Sequence, residues 1–314
     1  MPMTVPLGRS SSRLATWLGL FAIVLWSTSI AGSRSLTEQL GTFTAGAVVY
    51  LVAGLVGCGW LVLRRQIVSV VRHSDRRYLW GCGGLMACYS TLLYLAVGLS
   101  PSRAGIVAVT VANYLWPTLT LVLSLPILQW SARLPQLLLG TVLALTGVGL
   151  ALAPQGELSV TLLTEWHHLL AISSAVMAAL AWGIYSNISR RWGSATSAGA
   201  VPVFLVATGL SLLLLRLAAR ETSVWTTRVF WEVGYVALFP TLIAYACWDL
   251  AVRRGNLALV AAASYLTPIL SVAISGLYLG LKVTPVQWLA SFLVVAGAIV
   301  CKLAVCAEQR SVEC

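Results

Sequence analysis

"NYLWPTLTLVLSLP" (residues 113–126) and "SYLTPILSVAISGL" (residues 264–277) are two apolar stretches that share the pattern Tyr-Leu-x-Pro. Proline inside a helix removes one backbone hydrogen bond and bends the helix. Pro117 and Pro268 each leave the carbonyl group four residues earlier without its helical donor. In a membrane such a group is tolerated where it faces protein or a water-filled cavity. The pair therefore predicts two helices that bend at matching points beside an internal cavity.

The composition indicates an all-α polytopic membrane protein. Of 314 residues, 59% are hydrophobic and 9% are charged, and the mean hydropathy is +0.89. A soluble domain has about 25% charged residues, and about 20 apolar residues suffice for a helix to cross the hydrocarbon core. Ten transmembrane helices are predicted, at residues 14–33, 42–63, 77–99, 104–128, 134–153, 168–189, 197–215, 229–251, 257–280 and 285–305.

The net charge of +11 is distributed as a topology signal. If the N-terminus lies inside, 14 of the 20 Lys and Arg residues fall on inner segments, among them Arg64, Arg65 and Arg76. Cytoplasmic loops carry an excess of Lys and Arg. Both termini are therefore predicted to be cytoplasmic, and the basicity does not indicate a nucleic-acid partner.

The first span has a second interpretation. Arg9 and Arg13 precede an apolar core and the small-residue run "STSIAGS" (27–33), which is also the pattern of a cleavable signal peptide. Cleavage would leave nine spans and would remove part of the repeat that the rest of the sequence contains.

The chain repeats itself at a spacing of 151 residues. Residues 94–119 align with residues 245–270 without a gap, and nine of the 26 positions are identical. Similar pairs outside this window match Trp26 with Trp182 and Gly147 with Gly297. The sequence therefore predicts two five-span halves, at residues 1–155 and 156–314. Because five is odd, the second half enters the membrane from the opposite face, so the halves are predicted to be inverted repeats.

Signatures of catalysis and of cofactor binding are absent from the sequence. No H-E-x-x-H, G-x-S-x-G, P-loop or Gly-rich nucleotide motif occurs. The seven cysteines form no C-x-x-C pair, and His167 and His168, as neighbours, cannot share one helix face. We therefore predict that the protein is not an enzyme and needs no metal and no cofactor.

Charged side chains are scarce inside the predicted spans. Asp249 is the one acid with a partly intramembrane position, and its spacing to Arg253 is that of a helical ion pair. We interpret Asp249 as structurally paired, with proton coupling as the alternative. An uncharged cavity disfavours anionic substrates, and it equally disfavours permanent cations that need a buried carboxylate.

Aromatic side chains are more informative than charges in this chain. Nine tryptophans, Trp248 among them, lie near span ends and are predicted to form interfacial belts. Tyr and Trp in mid-span need a partner for O–H or N–H, which favours the interior of the bundle. The predicted substrate cavity consists of Trp26, Tyr89, Tyr94, Asn113, Tyr114, Trp116, Trp182, Tyr185, Tyr245, Ser264 and Tyr265. For each aromatic, helix-to-helix packing is the alternative role.

Small residues predict where helices approach one another closely. Gly140 with Ala144, and the set Gly54, Gly57 and Gly59, have spacings typical of close helix contacts in membranes. We therefore interpret these positions as packing residues and not as parts of a binding site.

Ten spans in two inverted halves, with Trp26 and Trp182 in the first span of each half and Pro117 and Pro268 in the fourth, resemble the drug/metabolite transporter (DMT) superfamily, EamA type. The resemblance extends over essentially the whole chain. Within the superfamily, the richness in Trp and Tyr is similar to that of the aromatic amino-acid exporters of the bacterial inner membrane. The resemblance implies export of aromatic amino acids and related small neutral or zwitterionic metabolites through a central cavity.

The sequence thus predicts a secondary transporter that works by alternating access, with Pro117 and Pro268 as hinges. Its partners would be membrane lipid and an amino-acid-like small molecule, with no obligate protein partner. A broad-specificity exporter of lipophilic compounds with the same fold is the main alternative, and a channel is another. The direction of transport follows from the resemblance alone, and the choice between proton coupling and facilitated diffusion is open.

Overall fold

The computed structural model describes residues 9–100, 105–151, 166–193, 199–255, 260, 263–280 and 282–306. This part of the chain is a bundle of helices with one two-residue strand pair. The helices are α1 (Arg9–Trp26), α2 (Ser29–Leu40), α3 (Thr42–Leu63), α4 (Ile67–His73), α5 (Gly83–Leu99), α6 (Gly105–Asn113), α7 (Trp116–Leu128), α8 (Leu134–Ala151), α9 (Trp166–Trp192), α10 (Val201–Ala218), α11 (Thr227–Val236), α12 (Ala244–Arg254), α13 (Thr267–Leu279) and α14 (Pro285–Ala304).

Two π-helical turns lengthen these helices. One, at Tyr78–Cys82, continues directly into α5, and the other, at Ala237–Ile243, joins α11 to α12. The second contains Pro240, which cannot donate a backbone hydrogen bond. Strands β1 (Ser131–Ala132) and β2 (Val305–Cys306) pair antiparallel.

Several helices are long and apolar enough to cross a membrane, which confirms the predicted helical membrane protein. In the described ranges seven pass this test, and the pair α1 and α2, bent by about 40°, makes an eighth. Two shorter apolar helices, Leu134–Leu150 and Thr267–Leu279, accompany them. The seven helices that are long and apolar enough to cross a membrane are Thr42–Leu63, Tyr78–Leu99, Gly105–Leu128, Trp166–Trp192, Val201–Ala218, Thr227–Val252 and Pro285–Ala304. The count of ten transmembrane helices stays a prediction.

The helices are interrupted at both Tyr-Leu-x-Pro sequences. α6 ends at Asn113 and α7 begins at Trp116, so that Pro117 lies in the first turn of the new helix, where a missing N–H costs little. α13 begins in the same way, with Pro268 as its second residue. The backbone hydrogen bonds across the two breaks are the same: Leu115 N to Ala112 O (3.2 Å) and Leu266 N to Ala263 O (3.0 Å), then Leu119 N to Leu115 O (2.9 Å) and Leu270 N to Leu266 O (3.0 Å).

A third break, between α1 and α2, has a different cause. No proline or glycine lies there. Instead, the Ser27 hydroxyl donates to the Ile23 carbonyl (2.9 Å), and the Ser29 hydroxyl donates to the Trp26 carbonyl (2.7 Å). Hydroxyl groups that bond back to helical carbonyls bend helices in membranes. The matching helix in the sequence repeat, α9, is continuous from Trp166 to Trp192.

Glycines let two helix pairs approach closely, α3 with α10 and α8 with α14. A Cβ on Gly140 would lie 2.6 Å from the Cys301 sulfur, and one on Gly54 would lie 2.5 Å from the Val206 nitrogen. Both are the close contacts that the sequence predicted. The prediction was wrong for Gly59, where an added Cβ would meet no atom within 4 Å.

Candidate functional site

A small cavity of about 50 Å³ lies in the middle of the bundle. Its volume is enough for a few water molecules, since one water needs about 10–15 Å³ of cavity. The helices on both sides of the α1–α2 and α6–α7 breaks contribute to its wall. The lining residues are Trp26, Ser29, Ser33, Tyr50, Tyr89, Leu93, Tyr94, Asn113, Tyr114, Trp116, Trp182, Val236, Pro240, Thr241 and Tyr245.

Eight of the eleven predicted cavity residues lie together on this wall: Trp26, Tyr89, Tyr94, Asn113, Tyr114, Trp116, Trp182 and Tyr245. Tyr185 lies one helical turn from Trp182 and stacks on it, with 4.8 Å between the ring centroids. Ser264 and Tyr265 are buried at the break before α13 and are not among the lining residues. A role for any of the eleven in substrate binding stays a prediction.

Sequence reasoning missed several lining residues. Tyr50, in the middle of α3, is buried and its hydroxyl lies 3.4 Å from that of Tyr245. Ser29 and Ser33 share one face of α2, and the Ser33 hydroxyl lies 3.5 Å from that of Tyr94. The i, i+4 spacing of the two serines beside Trp26 was a usable signal in the sequence, because it places all three on adjoining turns.

An aromatic cluster fills the region beside the cavity. We define it as Trp26, Tyr89, Trp116, Trp182, Tyr185, Tyr245 and Trp248. Trp182 is its centre, because its ring lies 4.8–6.4 Å from the rings of five others: Trp26, Tyr89, Trp116, Tyr185 and Tyr245. Aromatic pairs at these separations stabilise a structure by about 0.5–1.5 kcal/mol each beyond the area that they bury.

Trp248 corrects one sequence prediction. It was expected in an interfacial belt, but only 5% of its surface is exposed. Its ring lies 5.1 Å from that of Trp26 and 5.6 Å from that of Trp116. The physical reason is that α12 runs on to Arg254, so Trp248 lies more than one turn inside the helix end.

The described wall of the cavity carries no charged side chain. Asp249 is buried and does not line this cavity. It lies with Tyr185, Ser186 and Ser189 around a second pocket that has no room for a water molecule. The side chain of Arg253, its predicted partner, falls outside the described residues. Among the described residues no three His, Cys, Asp or Glu side chains are grouped so that they could hold a metal ion.

Two buried polar atoms on the wall have no hydrogen-bond partner among the described residues: Asn113 Oδ1 and Trp26 Nε1. The other intramembrane asparagine differs, because Asn187 Nδ2 donates to the carbonyls of Thr120 and Gly183, both at 2.9 Å. Asn187 therefore joins α9 to α7, whereas Asn113 lines the cavity and its side-chain oxygen is buried without a described partner.

A carboxylate network closes one end of the bundle. Glu232, in α11, has 8% of its surface exposed. We define the network as Glu232 and its four donors: Arg228 Nε (2.6 Å), Tyr278 OH (2.7 Å), Ser35 Oγ (2.8 Å) and Gln39 Nε2 (3.3 Å). The donors belong to α2, α11 and α13, so one carboxylate joins three helices. Charge-assisted bonds of this kind are about twice as strong as neutral ones.

A second carboxylate supports the same end. Glu221 accepts hydrogen bonds from the backbone N–H groups of Phe43 and Thr44, both at 2.8 Å, at the start of α3. The N-terminal N–H groups of a helix have no internal acceptor, and a carboxylate there is favoured by the helix dipole. Glu221 thereby ties the segment before α11 to the turn between α2 and α3.

Known proteins with similar sequences are membrane transporters. The profile of the EamA-like transporter family matches residues 169–302. The aromatic amino acid exporter YddG of Salmonella typhimurium (strain 14028s / SGSC 2262) is 29% identical over 94% of this chain and 98% of its own length. YddG of Escherichia coli (strain K12) is 29% identical over 92% of this chain and 97% of its own length. YddG of Ancylobacter novellus is 30% identical over 82% of this chain and 86% of its own length.

A solved crystal structure has the same fold, with a TM-score of 0.68, 28% identity and coverage of 94% of this chain and 98% of the other. The apolar helices and the similarity to transporters thus define a polytopic membrane transporter and not an enzyme. The chain belongs to the EamA-like transporter family of the drug/metabolite transporter superfamily. The three relatives named above are aromatic amino acid exporters.

Proposed function

We propose that this protein is a secondary transporter that exports aromatic amino acids and related small neutral or zwitterionic metabolites across the bacterial inner membrane. The observation that carries the proposal is the wall of the central cavity, which is built from aromatic rings and lacks a charged side chain among the described residues. The three relatives named as aromatic amino acid exporters support the same substrate class.

Aromatic rings are suited to bind an aromatic side chain. Trp182, Trp116 and Tyr89 offer both faces and edges, and each edge-to-face or stacked contact contributes on the order of 1 kcal/mol. A broad-specificity exporter of lipophilic cations would need a carboxylate in the cavity, and Asp249 lies outside it. The aromatic amino-acid substrate is therefore favoured over that alternative.

The proposed mechanism is alternating access. A cavity of about 50 Å³ is far smaller than the roughly 300 Å³ of pockets that hold small ligands. We therefore assign this conformation to a closed state, in which the cavity must enlarge to admit a substrate. Loading and release would require the helices around it to move.

The proposed architecture is a pair of inverted repeats of five spans, at residues 1–155 and 156–314; their boundary lies outside the described residues. The matching breaks at residues 114–115 and 265–266, 151 positions apart, support it. The packing of helix pairs supports it as well: α3 packs with α10, α8 with α14, α5 with α9 and α1 with α12. If the two halves are exchanged, the first two pairs are unchanged and the last two replace each other. Seven spans, one bent pair and two shorter helices add up to ten.

Under this topology both termini are cytoplasmic, and the two closures of the cavity have different chemistry. The carboxylate network around Glu232 would seal the outer side, where α2 ends and α11 begins. The aromatic cluster, in which Trp26 meets Trp182 and Trp248, would seal the inner side. Transport would then alternate between opening one closure and opening the other.

The proposed energetics are facilitated diffusion, because the cavity wall offers no acid to carry a proton. Proton coupling through Asp249 is the weaker candidate; its side chain is buried one turn beyond Tyr245. Pro117 and Pro268 are the proposed hinges, since each lies in the first turn of a helix immediately after a break.

The test is reconstitution in liposomes with labelled Phe, Trp, Lys and Glu, with and without a pH gradient. We expect saturable flux of Phe and Trp, little flux of Lys and Glu, and little effect of the gradient. Equal flux of Glu and Phe would contradict the aromatic substrate. Strict dependence on the gradient would favour Asp249 as a proton carrier, and flux that does not saturate would indicate a channel.

A further inference from the structure

The two unpartnered polar atoms of the cavity wall are of opposite hydrogen-bonding type. Asn113 Oδ1 is an acceptor and Trp26 Nε1 is a donor, and both atoms are buried. Burial of a polar group without a partner is unfavourable, so such a group in a native protein calls for a ligand or water. Both residues line the central cavity.

Other polar groups nearby are already satisfied or lie elsewhere. The hydroxyls of Tyr50 and Tyr245 face each other at 3.4 Å, and that of Ser33 lies 3.5 Å from that of Tyr94. Trp248 Nε1 is also without a described partner, but Trp248 does not line the cavity. The acceptor on Asn113 and the donor on Trp26 are thus the groups of lining residues that have no described partner, and a ligand would gain access to them when the cavity enlarges.

Both residues stand at breaks between helices. Trp26 is the last residue of α1, and Asn113 is the last residue of α6. A ligand that bonds to both would therefore bridge two segments that can change their angle relative to α2 and α7. The binding of its polar groups would then depend on the positions of both helix breaks.

We propose that Asn113 Oδ1 accepts a hydrogen bond from the ammonium group of the substrate and that Trp26 Nε1 donates one to its carboxylate. The assignment rests on the proposed function. It follows from chemistry, because an ammonium group only donates hydrogen bonds and a carboxylate only accepts them. The two residues would let an uncharged cavity select a zwitterion over compounds that share its ring but carry one charge.

The experiment compares three unlabelled competitors of labelled phenylalanine flux in proteoliposomes: phenylalanine, 3-phenylpropionate, which lacks the ammonium, and phenethylamine, which lacks the carboxylate. We expect the unmodified protein to prefer phenylalanine over each analogue by about tenfold or more, the effect of one lost charge-assisted hydrogen bond. Asn113→Leu should lose the preference over phenylpropionate and keep that over phenethylamine. Trp26→Phe, which keeps an aromatic ring, should show the reverse.

Thr110→Val and Trp166→Phe, the latter at an exposed tryptophan, are the matched controls. Thr110 lies one turn before Asn113 and its hydroxyl bonds within α6 to the Ile106 carbonyl (2.7 Å). Both preference ratios should be unchanged in the controls. If a variant carries no flux, the same ratios are measured as ligand-induced shifts of the melting temperature in detergent.

The outcomes separate the two proposals. Absence of phenylalanine flux in the unmodified protein would overturn the proposed function. Phenylalanine flux with preference ratios that are the same in Asn113→Leu, Trp26→Phe and the controls would overturn the assignment of the polar groups and leave the aromatic substrate intact. Equal loss of both preferences in each variant would also overturn it, because the two roles would then not be separate.

Discussion

At the scale of single residues, the position of an aromatic side chain along its span predicted much of the cavity. Trp26, Trp116 and Trp182 were expected inside because they lie far from span ends, and they do meet there. Tyr50 and Trp248 were not expected, because the sequence does not show which way a helix is turned or how far it extends. Burial of these two depends on neighbours from distant parts of the chain.

Replacement of Trp182 should weaken binding of aromatic substrates. Trp182→Ala removes ring contacts to five neighbours, so we expect the KM for phenylalanine to rise by about tenfold or more. Trp182→Phe should have a smaller effect because it keeps a ring. Trp166→Ala, at the start of the same helix with 62% of the residue's surface exposed, is the control, and an equal change in KM for both alanine variants would contradict a specific role.

At the scale of helices, the proline breaks were predictable and the α1–α2 break was not. A proline removes its own N–H wherever it lies, so Pro117 and Pro268 could be assigned without knowledge of their surroundings. The bend after Trp26 instead depends on hydroxyl groups that bond back to carbonyls at 2.7–2.9 Å. Several buried Ser and Thr residues inside continuous helices make the same bond, among them Thr110, Ser186 and Thr208, so the residue types alone do not signal a bend.

Removal of the prolines should slow transport. Pro117→Ala and Pro268→Ala each restore a backbone donor at a break. The first should allow α6 to continue into α7, and the second should allow α13 to begin earlier in the chain. We expect a lower maximal flux of phenylalanine with an unchanged or higher melting temperature. Pro126→Ala, near the end of α7, is the matched control. Full flux in the double variant would show that these breaks do not act as hinges.

A pair of glycines two residues apart on α8 tests the close packing against α14. An added Cβ on Gly147 would lie 2.6 Å from the Ala290 carbonyl oxygen, whereas one on Gly149 would meet no atom within 4 Å. Gly147→Ala should lower the free energy of unfolding by about 1–3 kcal/mol, and Gly149→Ala should not lower it. Thermal unfolding in one detergent measures both, and equal melting temperatures would contradict the observed helix crossing.

At the scale of the whole molecule, the sequence predicted a helical membrane transporter but not how its ends close. Glu232 was visible only as an acid in the first turn of a span. Its four donors come from positions up to 197 residues away in the chain, and no local pattern marks such a meeting point. The repeat predicted the general architecture, because symmetry can be detected in a sequence without knowledge of contacts.

Loss of the Glu232 charge should loosen the end of the bundle that we assign to the outer side. In Glu232→Gln the ion pair with Arg228 is lost and the bond from Tyr278 becomes a neutral one. A cysteine placed at Ser33, in a background without the seven native cysteines, should then react roughly tenfold faster with an impermeant thiol reagent added outside. Glu38→Gln is the matched control, because Glu38 pairs within α2 with Arg34. Equal rates in the two variants would contradict a closing role for Glu232.

The carboxylate network is polar and the aromatic cluster is largely apolar, so the opening of the two should depend differently on temperature. Separation of tryptophan rings such as Trp26 and Trp182 exposes apolar surface to water, which raises the heat capacity. Separation of the groups around Glu232 exposes polar surface, which lowers the heat capacity. The two half-cycles of the transporter would therefore respond differently to warming. An Arrhenius plot for the opening of the aromatic cluster should therefore curve in the opposite sense to one for the opening of the carboxylate network.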